Sequence, residues 1–247
     1  VETVFTPHTM FDDGLHGDGS AGDGVYGATV GPFTADGTIV EFYVSASDGT
    51  HVRTWPAPVP GEGQAANALF QVDNSYVGPT EWTPGSMPVY RLIMRDAERD
   101  ELINEICGTG DHESNAQMNG TFISVDGVDV RVRYQVGIRN RGAGSRTSSP
   151  YNHRVNFPHD APWKGVTNLN LNHRWSWIQV IGSTLWQAAG LAAADATGVE
   201  VRVNGVDRAE TGDQMYGAYA AVEVLDSDFA DHWWPDDSAG DLWRCSD

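Results

Sequence analysis

The sequence predicts an α+β fold, in which a partial β-sandwich segment precedes a twisted antiparallel sheet with one or two packed helices. Three observations predict it. Apolar and polar residues alternate in short runs bounded by Gly and Asp, which indicates strands. Two stretches between these runs have helical composition. A Pro/Gly-rich stretch, "WPAPVPGEGQ" (55–64), separates the two regions, because its prolines favour extended, non-helical backbone.

The first region contains one clear strand pattern. In "GTIVEFYVSASD" (37–48), alternate residues face opposite sides, and turn residues surround the run. This pattern is typical of an antiparallel sandwich. We therefore expect residues 1–60 to be the C-terminal part of a β-sandwich and 61–84 to be a linker.

The second region, residues 85–247, opens with strand and helix patterns. "MPVYRLIM" (87–94) predicts a strand, and "RDAERDELINEIC" (95–107) predicts a helix that ends at the following glycines. "TFISVDGVDVRVRYQVGIR" (121–139) predicts a hairpin, because its central Asp-Gly pair tolerates positive φ in a tight turn.

The rest of this region continues the mixed pattern. "SWIQVIGSTLWQAAGL" (176–191) predicts an amphipathic or buried helix that ends at Gly190. "GVEVRVNGVDR" (198–208) and "QMYGAYAAVEVLD" (214–226) predict further strands. Residues 85–247 are thus expected to form one mixed sheet with helices on it.

Composition excludes several classes of protein. Of 247 residues, 40% are hydrophobic and 20% are charged, which indicates a globular protein. The 34 acidic and 15 basic residues give a net charge of -19, so the overall field repels nucleic acid and anionic membranes. No apolar run is long enough to predict a membrane span. Lys164 is the only lysine, which suits an extracellular or salty setting and a GC-rich genome equally well.

Neither terminus has the pattern of a natural start or stop, so we expect a piece of a longer polypeptide. No signal peptide is visible. Cys107 and Cys245 could pair in an oxidising compartment or stay as free thiols.

Four aspartates lie among glycines in "FDDGLHGDGSAGDGVYG" (11–27): Asp12, Asp13, Asp18 and Asp23. Hard oxygen ligands on a tight loop suit Ca²⁺, although the pattern is not an EF-hand. The alternative is a hairpin in which Asp and Gly serve the turns. Both interpretations stay open.

The motifs of several enzyme classes are missing. The sequence has no Gly-x-Ser-x-Gly nucleophile motif, no zinc-ligand spacing and no Walker lysine after a glycine loop. The histidines show no spacing that pairs them with a Ser or a Cys, so surface positions are expected for them. The nine tryptophans could stack on sugars or pack in the core.

Basic residues cluster in "VGIRNRGAGSRTSSPYNHRVNFP" (136–158). Arg139, Arg141 and Arg146 lie among small residues, and Arg154 follows in the next extended stretch. Guanidinium groups match phosphate oxygens, and glycines let backbone N–H groups approach them. The sequence therefore predicts either an anion site or structural ion pairs to nearby carboxylates.

This stretch and those that follow it resemble the CotH family of atypical protein kinases, named for spore-coat proteins. The matching elements are Arg-x-Arg-Gly, Ser-Arg, a basic strand ending in Phe, Leu-Asn-Leu-Asn, an Asn-Gly hairpin, Gly-x-Tyr and Glu-x-x-Asp. They fall, in this order, at Arg139 to Gly142, Ser145-Arg146, Phe157, Leu169 to Asn172, Asn204-Gly205, Gly217 with Tyr219, and Glu223 with Asp226. The resemblance covers roughly residues 87–247, and the preceding segment looks like the immunoglobulin- or fibronectin-like modules that often precede such regions.

The resemblance implies a fold and a ligand. Residues 85–247 would be a kinase-N-lobe-like sheet, and ATP with Mg²⁺ would bind in the full-length parent. The residues implied to contact the nucleotide are Arg139, Arg141, Gly142, Ser145, Arg146, Arg154 and, at a hinge against the adenine, Glu223. The parent would be a secreted or envelope protein of bacterial type that transfers the γ-phosphoryl group of ATP to Ser/Thr of extracellular or coat proteins.

Two departures from the family pattern qualify this implication. Where the family has lysines, this chain has Pro150, Tyr151 and Asn152, so Arg146 or Arg154 would have to replace them. The family's catalytic and Mg²⁺-binding aspartates belong to a C-lobe that this chain does not contain, so the chain alone is expected to be inert, with no catalytic residue. The alternative is a non-catalytic extracellular binding or scaffold module on the same fold.

Overall fold

A computed structural model describes residues 4–74, 83, 85–106, 114–142, 144–147, 149–212 and 214–243. The chain forms two compact units, residues 1–36 and 37–247. In the first unit, Phe11 and Gly27 form a β-bridge in which the backbone N–H of each donates to the carbonyl of the other at 2.8 Å. The domain boundaries drawn at residues 60 and 84 stay predictions. Cys107 and Cys245 lie outside the described residues, so a disulfide between them stays a prediction.

Strands dominate the second unit. Its described strands are β1 (Ile39–Phe42), β2 (Val44–Ser47), β3 (Val52–Trp55), β4 (Ala68–Gln71), β5 (Val89–Met94), β6 (Met118–Val125), β7 (Val130–Asn140), β8 (His153–Asn156), β9 (Asn168–Asn172), β10 (Ala196–Val203), β11 (Val206–Asp207) and β12 (Tyr219–Glu223). Its described α-helices are α1 (Asp96–Asp100), α2 (Ser176–Ala188) and α3 (Ser227–Trp233). A π-helical stretch, Glu101–Ile106, continues α1, and Gly144–Thr147 is a 3₁₀ turn.

Seven of these strands close into a mixed barrel. Around the barrel the order is β5, β6, β7, β8, β9, β12 and β10, and β10 then pairs with β5. Every pairing is antiparallel except β10 with β5, which is parallel and places Val203 opposite Leu92. We call the end of the barrel at Met94, Asn140 and His153 the upper end, and the end at Asn168 and Glu223 the lower end.

The closed barrel corrects the predicted fold class. A kinase-N-lobe-like open sheet with packed helices is wrong, because β10 pairs on both sides and joins the two edges that an open sheet would leave free. The β-sandwich segment expected in the first 60 residues stays a prediction. There β2 pairs with β3, and β1 pairs with β4 from the stretch predicted to be a linker.

The barrel interior is filled by side chains. Inward-facing residues of all seven strands form the core, among them Leu92, Ile138, Leu171 and Val201. Near the lower end an aromatic group of Tyr90, Phe122, Phe157 and Trp163 packs with ring centroids 5.2–6.0 Å apart. Phe157 and Trp163 are stacked and the other pairs meet edge to face, and both arrangements stabilise a core beyond the area they bury.

Two elements cover parts of the outer surface. Strand β4 lies on β5, β6 and β7, where Thr121 Oγ1 donates to the carbonyl of Leu69 at 2.7 Å. Helix α2 lies on β10 and β12, with the Trp177 ring against Gly198. The outer face of β7, β8 and β9 has a different, polar character, which makes it the first candidate for a site.

Several element predictions are confirmed. The hairpin of β6 and β7 turns at Gly127 with φ +82°, and α2 is followed by Gly190 with φ +77°. Both glycines occupy the left-handed conformation that favours glycine. Within the described part of the chain, none of the helices combines the length and the apolar character needed to span a membrane.

Candidate anion-binding face

Two arginines face outward side by side on adjacent strands. Arg139 of β7 lies directly opposite Arg154 of β8, and both are half-buried. Their neighbours Ile138 and Val155 face the core, so strand alternation places the two guanidinium groups on the outer surface. We call Arg139, Arg154 and the outward asparagines of β9 (Asn168, Asn170 and Asn172) the arginine face.

The two guanidinium groups have few protein partners. In the described part of the chain, Arg139 makes one long hydrogen bond, from Nη1 to the Asn140 carbonyl at 3.4 Å. Arg154 donates to amide oxygens, through Nε to Asn156 at 3.1 Å and through Nη2 to Asn168 at 2.6 Å. Its nearest carboxylate is Asp226, at 3.9 Å. Several donors therefore remain available to a ligand.

Burial destabilises the positive charges of Arg139 and Arg154, and neighbouring arginines destabilise that of Arg139 further. Burial, and after it the positive charges of Arg154 and Arg146, lower the pKa of the Arg139 guanidinium. Burial also lowers the pKa of Arg154, although Asp226 opposes the effect. Adjacent like charges that are partly removed from water are stabilised by a bound anion.

Arg141 and Arg146 hold the loop beside the face. Arg141 Nη1 donates to Asn172 Oδ1, while Arg146 donates through Nε to the Gly142 carbonyl at 2.5 Å and through Nη2 to Asn115 Oδ1 at 3.0 Å. These acceptors are neutral amide and carbonyl oxygens, so none of these hydrogen bonds is an ion pair.

Gly142 and Ser145 shape the same loop. Gly142 has φ +108°, and a Cβ at this position would collide with Ser145 Oγ. That oxygen is itself fixed, because it accepts a hydrogen bond from Asn152 Nδ2 at 3.0 Å. Gly142 is therefore required for both its conformation and its space.

Asn170 supplies an unsatisfied acceptor on the face. It lies opposite Arg154 in the pairing of β8 and β9, and its side chain is only 8% exposed. Its Oδ1 is itself buried and has no hydrogen-bond partner in the described part of the chain. An unpaired buried oxygen of this kind costs free energy.

Glu223 is not part of this face. Glu223 of β12 lies opposite Leu169 of β9, and Leu169 lies opposite Val155 of β8. Because Leu169 and Val155 face the core, Glu223 also lies on the core side of the sheet, at the lower end. It is 8% exposed, and burial raises its pKa. The structure thus separates Glu223 from the arginines with which the resemblance groups it.

Glu223 instead lies beside Asp195 and His232. In the described residues these three are the one set of His, Cys or acidic ligand atoms that lie within 4.8 Å of one another. Glu223 Oε2 accepts from the Asp195 backbone N–H at 3.0 Å, and its Oε1 lies 3.8 Å from His232 Nδ1.

The arginine face suits the phosphate groups of a nucleotide better than it suits the Mg²⁺ ion that would accompany them. Asp226, the described carboxylate 3.9 Å from Arg154, already accepts from Asn168 Nδ2 at 2.8 Å, and Asp228 accepts from Thr167 N and Oγ1 at 2.7 Å each. We therefore assign no Mg²⁺ ligand on this face.

The aspartates of the first unit serve its own backbone. Asp18, with no exposed surface, accepts from the N–H groups of Asp13, Gly14 and His16 at 2.5–2.8 Å, and these donors, Gly14 foremost, lower its pKa to about 2. Asp12 accepts from the N–H groups of Gly22, Asp23 and Gly24, while Asp23 accepts from those of Ser20 and Val25.

Asp13 bonds locally as well, to the N–H of Leu15 and to the His16 ring. All four carboxylates thus act as turn acceptors, which supports the turn interpretation of this loop. The calcium interpretation stays a prediction.

Comparison with known proteins adds no relative: no protein-family model matches the chain, and no curated protein matches it. The resemblance to the CotH family therefore remains a prediction that depends on the quoted motifs.

The sequence contained a signal for the asparagines of the face. "NLNLN" (168–172) alternates strictly, so as a strand it places three asparagines on one side and two leucines on the other. Pairing with β8 brings that polar side beside Arg154. This motif served only as part of the resemblance to the CotH family, so the sequence analysis did not predict the three asparagines as site residues.

Proposed function

We propose that the arginine face binds the phosphate groups of an anionic ligand. One observation carries the proposal. Arg139 and Arg154 lie opposite each other, with no described carboxylate closer than 3.9 Å to either, in a chain that has 34 acidic and 15 basic residues. In such a chain, carboxylates would be the expected partners of a purely structural pair.

The resemblance to CotH proteins suggests a nucleotide as the ligand, with ATP and Mg²⁺ used by a longer parent. In this proposal the chain supplies phosphate binding and no catalytic group. Transfer of a phosphoryl group to Ser/Thr of an extracellular or envelope protein would need residues from elsewhere in the parent.

The test is calorimetric titration of the chain with inorganic tripolyphosphate and with ATP. We expect saturable binding that weakens with salt, because the contacts are charged. Arg139→Gln and Arg154→Gln should each weaken binding by about 1.5–3 kcal/mol, or roughly 10- to 150-fold. Arg53→Gln is the matched control, since Arg53 is an exposed arginine on β3.

Two further results refine the test. Arg141→Ala and Arg146→Ala should lower the melting temperature as well as the affinity, because these side chains anchor the loop. ATP that binds no more tightly than tripolyphosphate would restrict the ligand to its phosphates. Unchanged affinity in both Arg139→Gln and Arg154→Gln would remove the proposal.

A second candidate is a non-catalytic extracellular binding module, and the surface of α2 favours it. Ile178, Ile181, Leu185 and Trp186 are 55–63% exposed and recur at helical spacing. An apolar stripe of this kind is typical of a protein-binding surface. Absence of tripolyphosphate and ATP binding, with the chain folded, would favour this candidate over the first.

A further inference from the structure

The upper end of the barrel holds a cavity of about 220 Å³. Its described lining includes Leu102, Ser149, His153, Val203, Arg208 and Tyr219. It lies on the core side of the sheet, because Val203 and Tyr219 belong to the barrel core. Arg139 and Arg154 point to the opposite, outer side.

Among its described lining residues the cavity has two arginines and neither Asp nor Glu, in a chain whose net charge is -19. Arg99 already pairs with Asp96 at 3.2 Å and with Asp100 at 3.4 Å. Arg208 is half-buried and forms no ion pair with any described carboxylate. An anionic group at this position would supply the missing counter-charge.

A buried polar side chain also lacks a partner here. His153 lines the cavity with 6% of its surface exposed, and its buried Nδ1 has no hydrogen-bond partner among the residues that the structure describes. An unsatisfied buried nitrogen costs free energy that a ligand can recover by hydrogen bonding. Burial, with the nearby positive charges of His173 and Arg208, lowers the pKa of His153 to about 4, so the ring is neutral at pH 7.

The remaining lining is mainly apolar. Met94, Leu102, Ile103, Pro150 and Val203 supply aliphatic walls. A cavity of about 150 Å³ with such walls binds benzene in another protein, so about 220 Å³ has room for one ring and a small substituent.

We propose that the upper-end cavity binds a small organic acid, with its aromatic or aliphatic body among the apolar walls and its carboxylate at Arg208. His153 supplies a neutral hydrogen-bonding group inside the same cavity. This site is independent of the arginine face and of its phosphate ligand.

The probes are benzoate, benzyl alcohol and benzylamine, which share a ring and differ in charge. Binding to the whole chain is followed by saturation-transfer NMR and by calorimetry. We expect saturable binding of benzoate, at least tenfold weaker binding of benzyl alcohol, and none of benzylamine. Equal binding of all three, or no saturable binding of benzoate, would overturn the proposal.

Variants assign the site. Arg208→Gln should weaken benzoate binding at least fivefold and leave benzyl alcohol unchanged, while Arg53→Gln should change neither. Ser149→Trp, at an exposed position in the lining, should abolish binding of both ligands. If Ser149→Trp does not fold, the effect of Arg208→Gln on benzoate binding, compared with its effect on benzyl alcohol binding, tests the site without it.

Arg139→Gln separates this site from the arginine face. It should reduce tripolyphosphate binding and leave benzoate binding unchanged. Benzoate binding that depends on Arg139 and not on Arg208 would place the anion on the outer face and overturn the cavity proposal. Loss of tripolyphosphate binding alone would remove the proposed function and leave the cavity proposal standing.

Discussion

At the scale of single residues, the structure divides one basic cluster into two roles. Arg139 and Arg154 keep donors available on an outer face, while Arg141 and Arg146 bond to neutral oxygens of the surrounding chain. All four are arginines within 16 positions of one another, so sequence spacing could group them but could not assign the roles. The assignment depends on which strand face each side chain occupies.

His153 leads to a prediction about pH. Its pKa is about 4 in the folded chain, below the ordinary value of 6.5 that applies when the chain is unfolded. Between these values the unfolded chain binds the additional proton, so stability falls as pH falls from about 6.5 to about 4. The predicted loss from this residue is about 3 kcal/mol.

The measurement is urea unfolding at a series of pH values for the wild type and for His153→Asn. In the variant, the unfolding free energy should no longer show the pH dependence that comes from His153. The difference between the two curves of unfolding free energy against pH gives the contribution of His153 alone. That subtraction is needed because burial raises the pKa values of Glu223 and Asp226, which act in the opposite direction in acid. Parallel curves for the two proteins would contradict a buried, neutral His153.

At the scale of elements, the turn after β10 helps to close the barrel. Asn204 has φ +49°, and its side chain continues the β5–β10 ladder by accepting from Met94 N–H and donating to the Met94 carbonyl, at 2.9 Å each. The resemblance to the CotH family implies a hairpin at Asn204 and Gly205, and in the structure β10 pairs with β11 across these residues. The link to Met94 was not predictable, because 110 positions separate the two residues.

Substitutions at Asn204 separate conformation from hydrogen bonding. Asn204→Gly keeps the backbone conformation but loses the two bonds to Met94 and a longer one to Asp96 Oδ1 at 3.3 Å, and we expect a loss of about 1–2 kcal/mol. Asn204→Ala also strains the left-handed backbone, which adds about 1 kcal/mol. Urea unfolding measures both changes, and equal stability of the two variants and the wild type would show that the link does not stabilise closure.

At the scale of the whole molecule, closure gives β5 and β10 the protection of internal strands. In an open sheet they would be edges, with exchangeable N–H groups. In the barrel they pair from Glu200 with Val89 to Val203 with Leu92. Closure therefore predicts slow amide exchange in both strands.

Hydrogen exchange followed by NMR tests this prediction. Amides of β5 and β10 should exchange about as slowly as those of β8, which is internal in either arrangement. The exposed β2–β3 pair is the control and should exchange fast. Fast exchange along β5 and β10, with β8 slow, would support an open sheet and contradict the barrel.

The sequence by itself determined the local elements: the β6–β7 hairpin, helix α2 and strand β5 all follow from periodicity and turn residues close together in the chain. Only the tertiary structure decided that the sheet closes, that Glu223 lies away from the arginines, and that a cavity forms at the upper end. The physical reason is that strand alternation indicates which residues share a face, whereas the partner of each strand depends on packing between segments far apart in the chain.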